Sequence, residues 1–124
     1  MLKKLEEKRG ITLIITLIIA LTIFYISSLK FDNIPGGLSF LSVAYHFLAF
    51  FTLNFFLSIS LVQGKDKRIF VIAFLMSVLY GITDEIHQFF VPGRAMSVGD
   101  ILVDSAGIFL ASALYFLIII ARKD

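Results

Sequence analysis

Two imidazoles and four carboxylates stand within or beside long apolar runs of this sequence: His46 and His87, with Asp84, Glu85, Asp100 and Asp104. Ionisable side chains are costly in such surroundings, so each marks a candidate functional position. Imidazoles and carboxylates exchange protons and ligate cations. Arg94, between the two acidic segments, is a planar cation suited to phosphate or carboxylate. Helical spacing decides which of these side chains can meet, because positions three and four apart share a face. Asp84, His87 and Gln88 point together, with Tyr80 and Gly81 one turn below. Glu85 is turned about 100° from Asp84, so it flanks the same cleft or faces another neighbour. Asp100 and Asp104 share a face that Gly107 and Ala111 continue as small residues, which lets another helix come close.

This pattern suggests Asp84, Glu85 and His87 as acid–base candidates, and His46, Gln88, Arg94, Asp100 and Asp104 as substrate-binding candidates. The four carboxylates face one obligate positive charge, Arg94, an arrangement that low dielectric disfavours without a proton, a cation or access to water. The cofactor expectation is therefore a divalent metal, held by Asp84 and His87 with His46 or Asp104. Familiar catalytic signatures are missing: no His-Glu-x-x-His, no Gly-x-Ser-x-Gly and no phosphate-binding glycine loop. Ser27, Ser28, Ser97 and Ser105 offer hydroxyls that nothing in the sequence marks as activated. Without cysteine, neither disulfide nor thiolate chemistry is available.

The elements that must position these groups are membrane-spanning helices. The chain is 59% hydrophobic and 16% charged, with mean hydropathy +0.96. A soluble domain of 124 residues has too little interior to hide its 14 Phe and many Ile and Leu side chains. Uncharged or nearly uncharged runs place spans at about 11–29, 40–62, 69–90 and 100–121, each long enough at about 1.5 Å per residue to approach a bilayer core of about 30 Å. The first run is longer than the apolar region of a cleaved signal peptide. Pro35-Gly36-Gly37 and Pro92-Gly93 break helices between spans. No repeat or low-complexity linker is present, so one four-helix domain over 1–124 is expected, all-α and integral to the membrane.

Basic residues cluster beside the apolar runs, which reads as topology and argues against nucleic acid as a partner. Nine Lys and Arg fall on the side of the termini and the second loop, and only Lys30 and Arg94 on the other. The bias places both termini in the cytoplasm and the polar cluster on the outer face. Glu6-Glu7 and the neighbouring basic residues then form a solvated juxtamembrane segment. Helix dipoles favour Asp100 and Asp104 at the start of their span, and disfavour Asp84 and Glu85 at the end of theirs.

The run Asp84-Glu85-Ile86-His87-Gln88-Phe89-Phe90-Val91-Pro92-Gly93-Arg94, followed by Asp100, Asp104 and Gly107, resembles the VanZ-like family of bacterial membrane proteins. His46-Phe47 with Leu53 resembles the family's second-helix motif, and Tyr25 to Ser28 also corresponds. Val43 stands where many members carry Lys, and Phe50 where Tyr is common. The family is named for a member associated with teicoplanin resistance. The resemblance implies a bacterial plasma-membrane protein of the cell envelope bearing on glycopeptide susceptibility, and does not by itself establish an enzyme.

Together these readings favour an outward-facing polar site that binds or processes an envelope lipid or lipid-linked precursor. A small proton-coupled transporter is the alternative, weakened because the first span carries no ionisable residue and the carboxylates lie at one end. A non-catalytic envelope or antibiotic-binding protein is the third.

Overall fold

The computed structural model describes residues 1–30, 40–63 and 68–122. The turn residues Asp32, Asn33 and Pro35-Gly36-Gly37, the charged Lys65, Asp66 and Lys67, and the terminal Lys123 and Asp124 lie outside the described residues. The helices are α1 (Leu2–Glu7), α2 (Arg9–Ser27), α3 (Phe40–Val62), α4 (Ile69–Phe89) and α5 (Val98–Ala121), and no strand occurs among the described residues. Helices α2 to α5 are each long and apolar enough to cross a membrane.

The outward surfaces of the spans are apolar: Leu17, Leu21, Leu48, Leu79, Leu102, Phe109 and Leu117 are all exposed. The interior, in contrast, alternates apolar and polar layers. Ile23, Phe50, Leu53 and Ile108 form one buried cluster, and Ile59, Val62, Phe70, Tyr115 and Ile119 form another. Asn54 adds a hydrogen-bonded polar link, donating to the Ile108 carbonyl at 2.9 Å and to Ser112 Oγ at 2.8 Å, while Ser77 Oγ donates to its Oδ1 at 3.0 Å. Lipid does not drive apolar surfaces together, so close packing and such interhelical bonds carry the association.

Helix α3 is the hub, packed against α2, α4 and, most extensively, α5. Gly107 explains the α3–α5 approach. A Cβ at that position would collide with the Phe47 carbonyl oxygen and lie 3.2 Å from the Phe51 nitrogen, so the two backbones meet where only a hydrogen fits.

Two sequence expectations need correction. The N-terminal segment is not simply solvated: α1 lays Leu2 and Leu5 against the Tyr115 cluster and buries Glu6. Glu6 accepts a hydrogen bond from Tyr115 Oη at 2.8 Å and pairs with Arg122 Nη1 at 3.0 Å, joining the two ends of the chain. Gln63 Nε2 donates to the Glu6 carbonyl at 3.2 Å. Periodicity in a six-residue helix is too short to announce this contact. The last span also begins earlier than Asp100, at Val98, because Ser97 caps it with Oγ accepting from the Asp100 N–H at 3.2 Å. A cap residue satisfies an otherwise orphaned amide, and Ser is among the best at doing so.

The backbone approach at Gly107 predicts that Gly107→Ala destabilises the detergent-solubilised protein by about 1–3 kcal/mol, the usual range for overpacking, and that Gly107→Val is worse. Gly10, with open space where its Cβ would go, should instead tolerate Ala and gain up to about 1 kcal/mol of helix propensity. Thermal unfolding of the two variants checks the contrast.

Candidate functional site

The polar residues collect at the bundle end remote from Glu6 and Arg122, where α2 and α4 finish and α3 and α5 start. Pro92-Gly93 shapes the connection. Gly93 has φ 82° and the Arg94 N–H donates to the Val91 carbonyl at 3.0 Å, which is a type II turn with Pro and Gly at its two central positions. Ser97 follows and caps α5.

Within this end the candidates separate into two groups. His46, Glu85 and Asp104 converge from α3, α4 and α5, and each offers a ligand-type atom within 4.8 Å of the others. His46 Nδ1 lies 3.0 Å from Asp104 Oδ1, and His46 Nε2 lies 3.9 Å from Asp100 Oδ2. Glu85 is 0% exposed and accepts the Ser97 backbone N–H on Oε2 at 2.8 Å. The carboxylate that the C-terminal end of α4 disfavours is thus held by an amide at the N-terminal end of α5. Glu85 Oε1, Asp104 Oδ2, Asp100 Oδ1 and Tyr45 Oη are buried without a hydrogen-bond partner among the described residues. Such atoms are uncommon in folded proteins, since each forfeits the hydration it had in the unfolded chain.

The second group faces α2. Asp84 accepts Ser27 Oγ at 2.6 Å on Oδ1 and Gln88 Nε2 at 3.0 Å on Oδ2. His87 Nε2 lies 2.9 Å from Ser28 Oγ, and its ring stacks on Phe24 with centroids 4.6 Å apart. Tyr80 Oη donates to the Ala20 carbonyl at 2.6 Å one turn below. The metal set expected from the sequence is therefore divided: His46 and Asp104 sit with Glu85, whereas Asp84 and His87 are engaged by serines of the first span. The reason is rotational, since Glu85 lies about 100° around α4 from Asp84 and that angle spans two neighbouring helices.

Asp100 is the third helical residue of α5, and Ser97 is its cap. Arg94 is half-buried, and Tyr45 lies within electrostatic range of both Arg94 and Asp104. The sequence offers Ser27, Ser28 and Ser97 only as hydroxyls without a marked role and does not single out Tyr45 for the site. Alternating the direction of successive spans puts Ser27 and Ser28 at the same end as Asp84, and the family resemblance over Tyr25 to Ser28 points the same way.

The comparison with protein families fits this geometry: the family profile described as VanZ/LLP1 matches residues 3–120. The chain belongs to the VanZ/LLP1 family. Neither the curated proteins nor the solved structures offered a match. The VanZ/LLP1 match runs through all four spans and every candidate residue, so it includes both polar groups at the bundle end.

The cap geometry predicts that Ser97→Ala lowers stability by about 0.5–2 kcal/mol, as loss of a helix N-cap does, and that Ser97→Thr restores most of it. Hydrogen exchange should show the loss concentrated in the first turn of α5, with the start of that helix exchanging faster in the Ala variant.

Proposed function

We propose that this VanZ/LLP1 protein resides in the bacterial plasma membrane with both termini cytoplasmic, and that its outer-end polar site binds or processes an envelope lipid or lipid-linked precursor. The observation that carries the reading is the set of buried carboxylate oxygens on Glu85, Asp100 and Asp104 without partners among the described residues, at the bundle end that also carries the half-buried Arg94. Free acceptors suit hydroxyl or ammonium donors of a headgroup, and a guanidinium suits its phosphate. The membrane location supports a ligand that arrives laterally with its polar part at the interface.

In this reading His46, Gln88, Arg94, Asp100 and Asp104 bind and orient the headgroup. Glu85, with one oxygen fixed by Ser97 and the other available, is the best placed of the acid–base candidates. Asp84 and His87, joined to Ser27 and Ser28, form the neighbouring wall and link the first span to the site. An effect on glycopeptide susceptibility follows if the lipid-linked precursor is the one such antibiotics recognise.

Two measurements test the proposal. The chain lacks cysteine, so single cysteines report topology cleanly. In intact cells Met96→Cys should react with a membrane-impermeant maleimide, and Lys3→Cys only after permeabilisation; the opposite pattern overturns the orientation. Lipid and precursor profiles should differ between cells carrying the native chain and cells carrying none, and Glu85→Gln should remove at least about nine-tenths of that difference, as expected for loss of a proton-transfer group. Identical profiles in native and null cells remove the lipid reading.

A further inference from the structure

We propose that His46, Glu85 and Asp104 form a divalent-cation site, one imidazole nitrogen and two carboxylate oxygens around a single first-row ion, Zn²⁺ or Mn²⁺. Their ligand-type atoms already lie within 4.8 Å of one another. Donors around an ion at about 2.0–2.2 Å are at most about 4.4 Å apart, so closing the shell needs only small side-chain adjustments. Three helices supply the three ligands, and rigid elements hold a constellation better than loops do.

Independent support comes from what these side chains leave unused. Glu85 and Asp104 are 0% and 1% exposed, yet Glu85 Oε1 and Asp104 Oδ2 have no hydrogen-bond partner among the described residues. An apolar membrane interior makes two neighbouring carboxylates with idle lone pairs expensive, and a dipositive ion compensates both. The surroundings also resemble an outer shell: Ser97 N–H fixes Glu85 Oε2, and Asp100 Oδ2 stands 3.9 Å from His46 Nε2. A mixed nitrogen and oxygen donor set suits Zn²⁺ or Mn²⁺ better than the all-oxygen preference of Ca²⁺. The ion would displace the proton that His46 Nδ1 and Asp104 Oδ1 share across 3.0 Å, so binding releases protons. Asp84 and His87 take no part, because Ser27, Gln88 and Ser28 occupy them.

The ion would occupy residues of the proposed lipid site and give that site its charge balance, but it is tested separately from the lipid reading, on purified protein with no lipid substrate. Chelator-stripped native chain in detergent is titrated separately with Zn²⁺ and Mn²⁺ by calorimetry, followed by desalting and elemental analysis. The expected result is about one equivalent of ion, a dissociation constant of about a micromolar or below, and proton release. Glu85→Gln and Asp104→Asn should each weaken binding by at least about tenfold, while Glu7→Gln, at the far end, binds as the native chain does. Pulsed electron paramagnetic resonance of the Mn²⁺-loaded native chain should show imidazole-nitrogen coupling, a readout that needs no variant to fold. Failure of both ions to bind the folded native chain, bound Mn²⁺ lacking that coupling, or unchanged affinity in both carboxamide variants overturns the site. Lipid profiles that respond to the native chain while no ion binds would overturn the metal site and leave the lipid reading standing.

Discussion

The structure depends on a backbone contact between α3 and α5 at Gly107, where the absence of a side chain lets α5 rest against the Phe47 carbonyl. That contact sets a register. His46 precedes Phe47 and Asp104 lies one turn before Gly107, so seating the glycine places the imidazole 3.0 Å from the carboxylate. Any displacement of one helix along the other separates the pair. A core that is close-packed transmits such shifts, because it has few voids to absorb them. The candidate site is thus a consequence of helix packing a turn away from it.

The same bundle is held differently at its two ends. Remote from the site, Glu6, Tyr115 and Arg122 tie the first helix to the last through charge-assisted hydrogen bonds, with Gln63 adding a link from α3. Near the middle Asn54 binds α3 to α4 and α5. These groups have satisfied partners and read as structural connections. At the site end, by contrast, several buried oxygens lack partners although amides and hydroxyls satisfy their neighbours. Ser58 Oγ, further along α3, is also without a partner among the described residues, but the carboxylate oxygens in that state all lie at the site end.

Helix dipoles give the site end its electrostatic logic. Glu85 sits where the end of α4 disfavours a negative charge, and the backbone amide that opens α5 supplies part of the compensation. Asp84, one residue earlier, is served by Ser27 and Gln88 on a different face. Adjacent carboxylates on one helix have therefore been given separate hydrogen-bond partners, and Glu85 is the one that brings an oxygen within 4.8 Å of both His46 and Asp104. Environments that differ in this way are how similar side chains acquire different chemical roles.

The sequence by itself determined that the chain is a bundle of four membrane-spanning helices, because uncharged runs of this length have no soluble solution and Pro92-Gly93 separates the last two runs. It also determined that the candidate imidazoles and carboxylates, His46, Asp84, Glu85, His87, Asp100 and Asp104, gather at one end, since reversing direction at each span leaves no other arrangement. Tertiary structure decided which of them meet. A period of 3.6 residues fixes that Asp84 and Glu85 point differently but is silent on which helix each one faces, and only packing assigned Glu85 to His46 and Asp104 and Asp84 to Ser27. The burial of Glu6 was likewise invisible, because its partners Tyr115 and Arg122 lie more than a hundred residues away and local pattern carries no information over that distance.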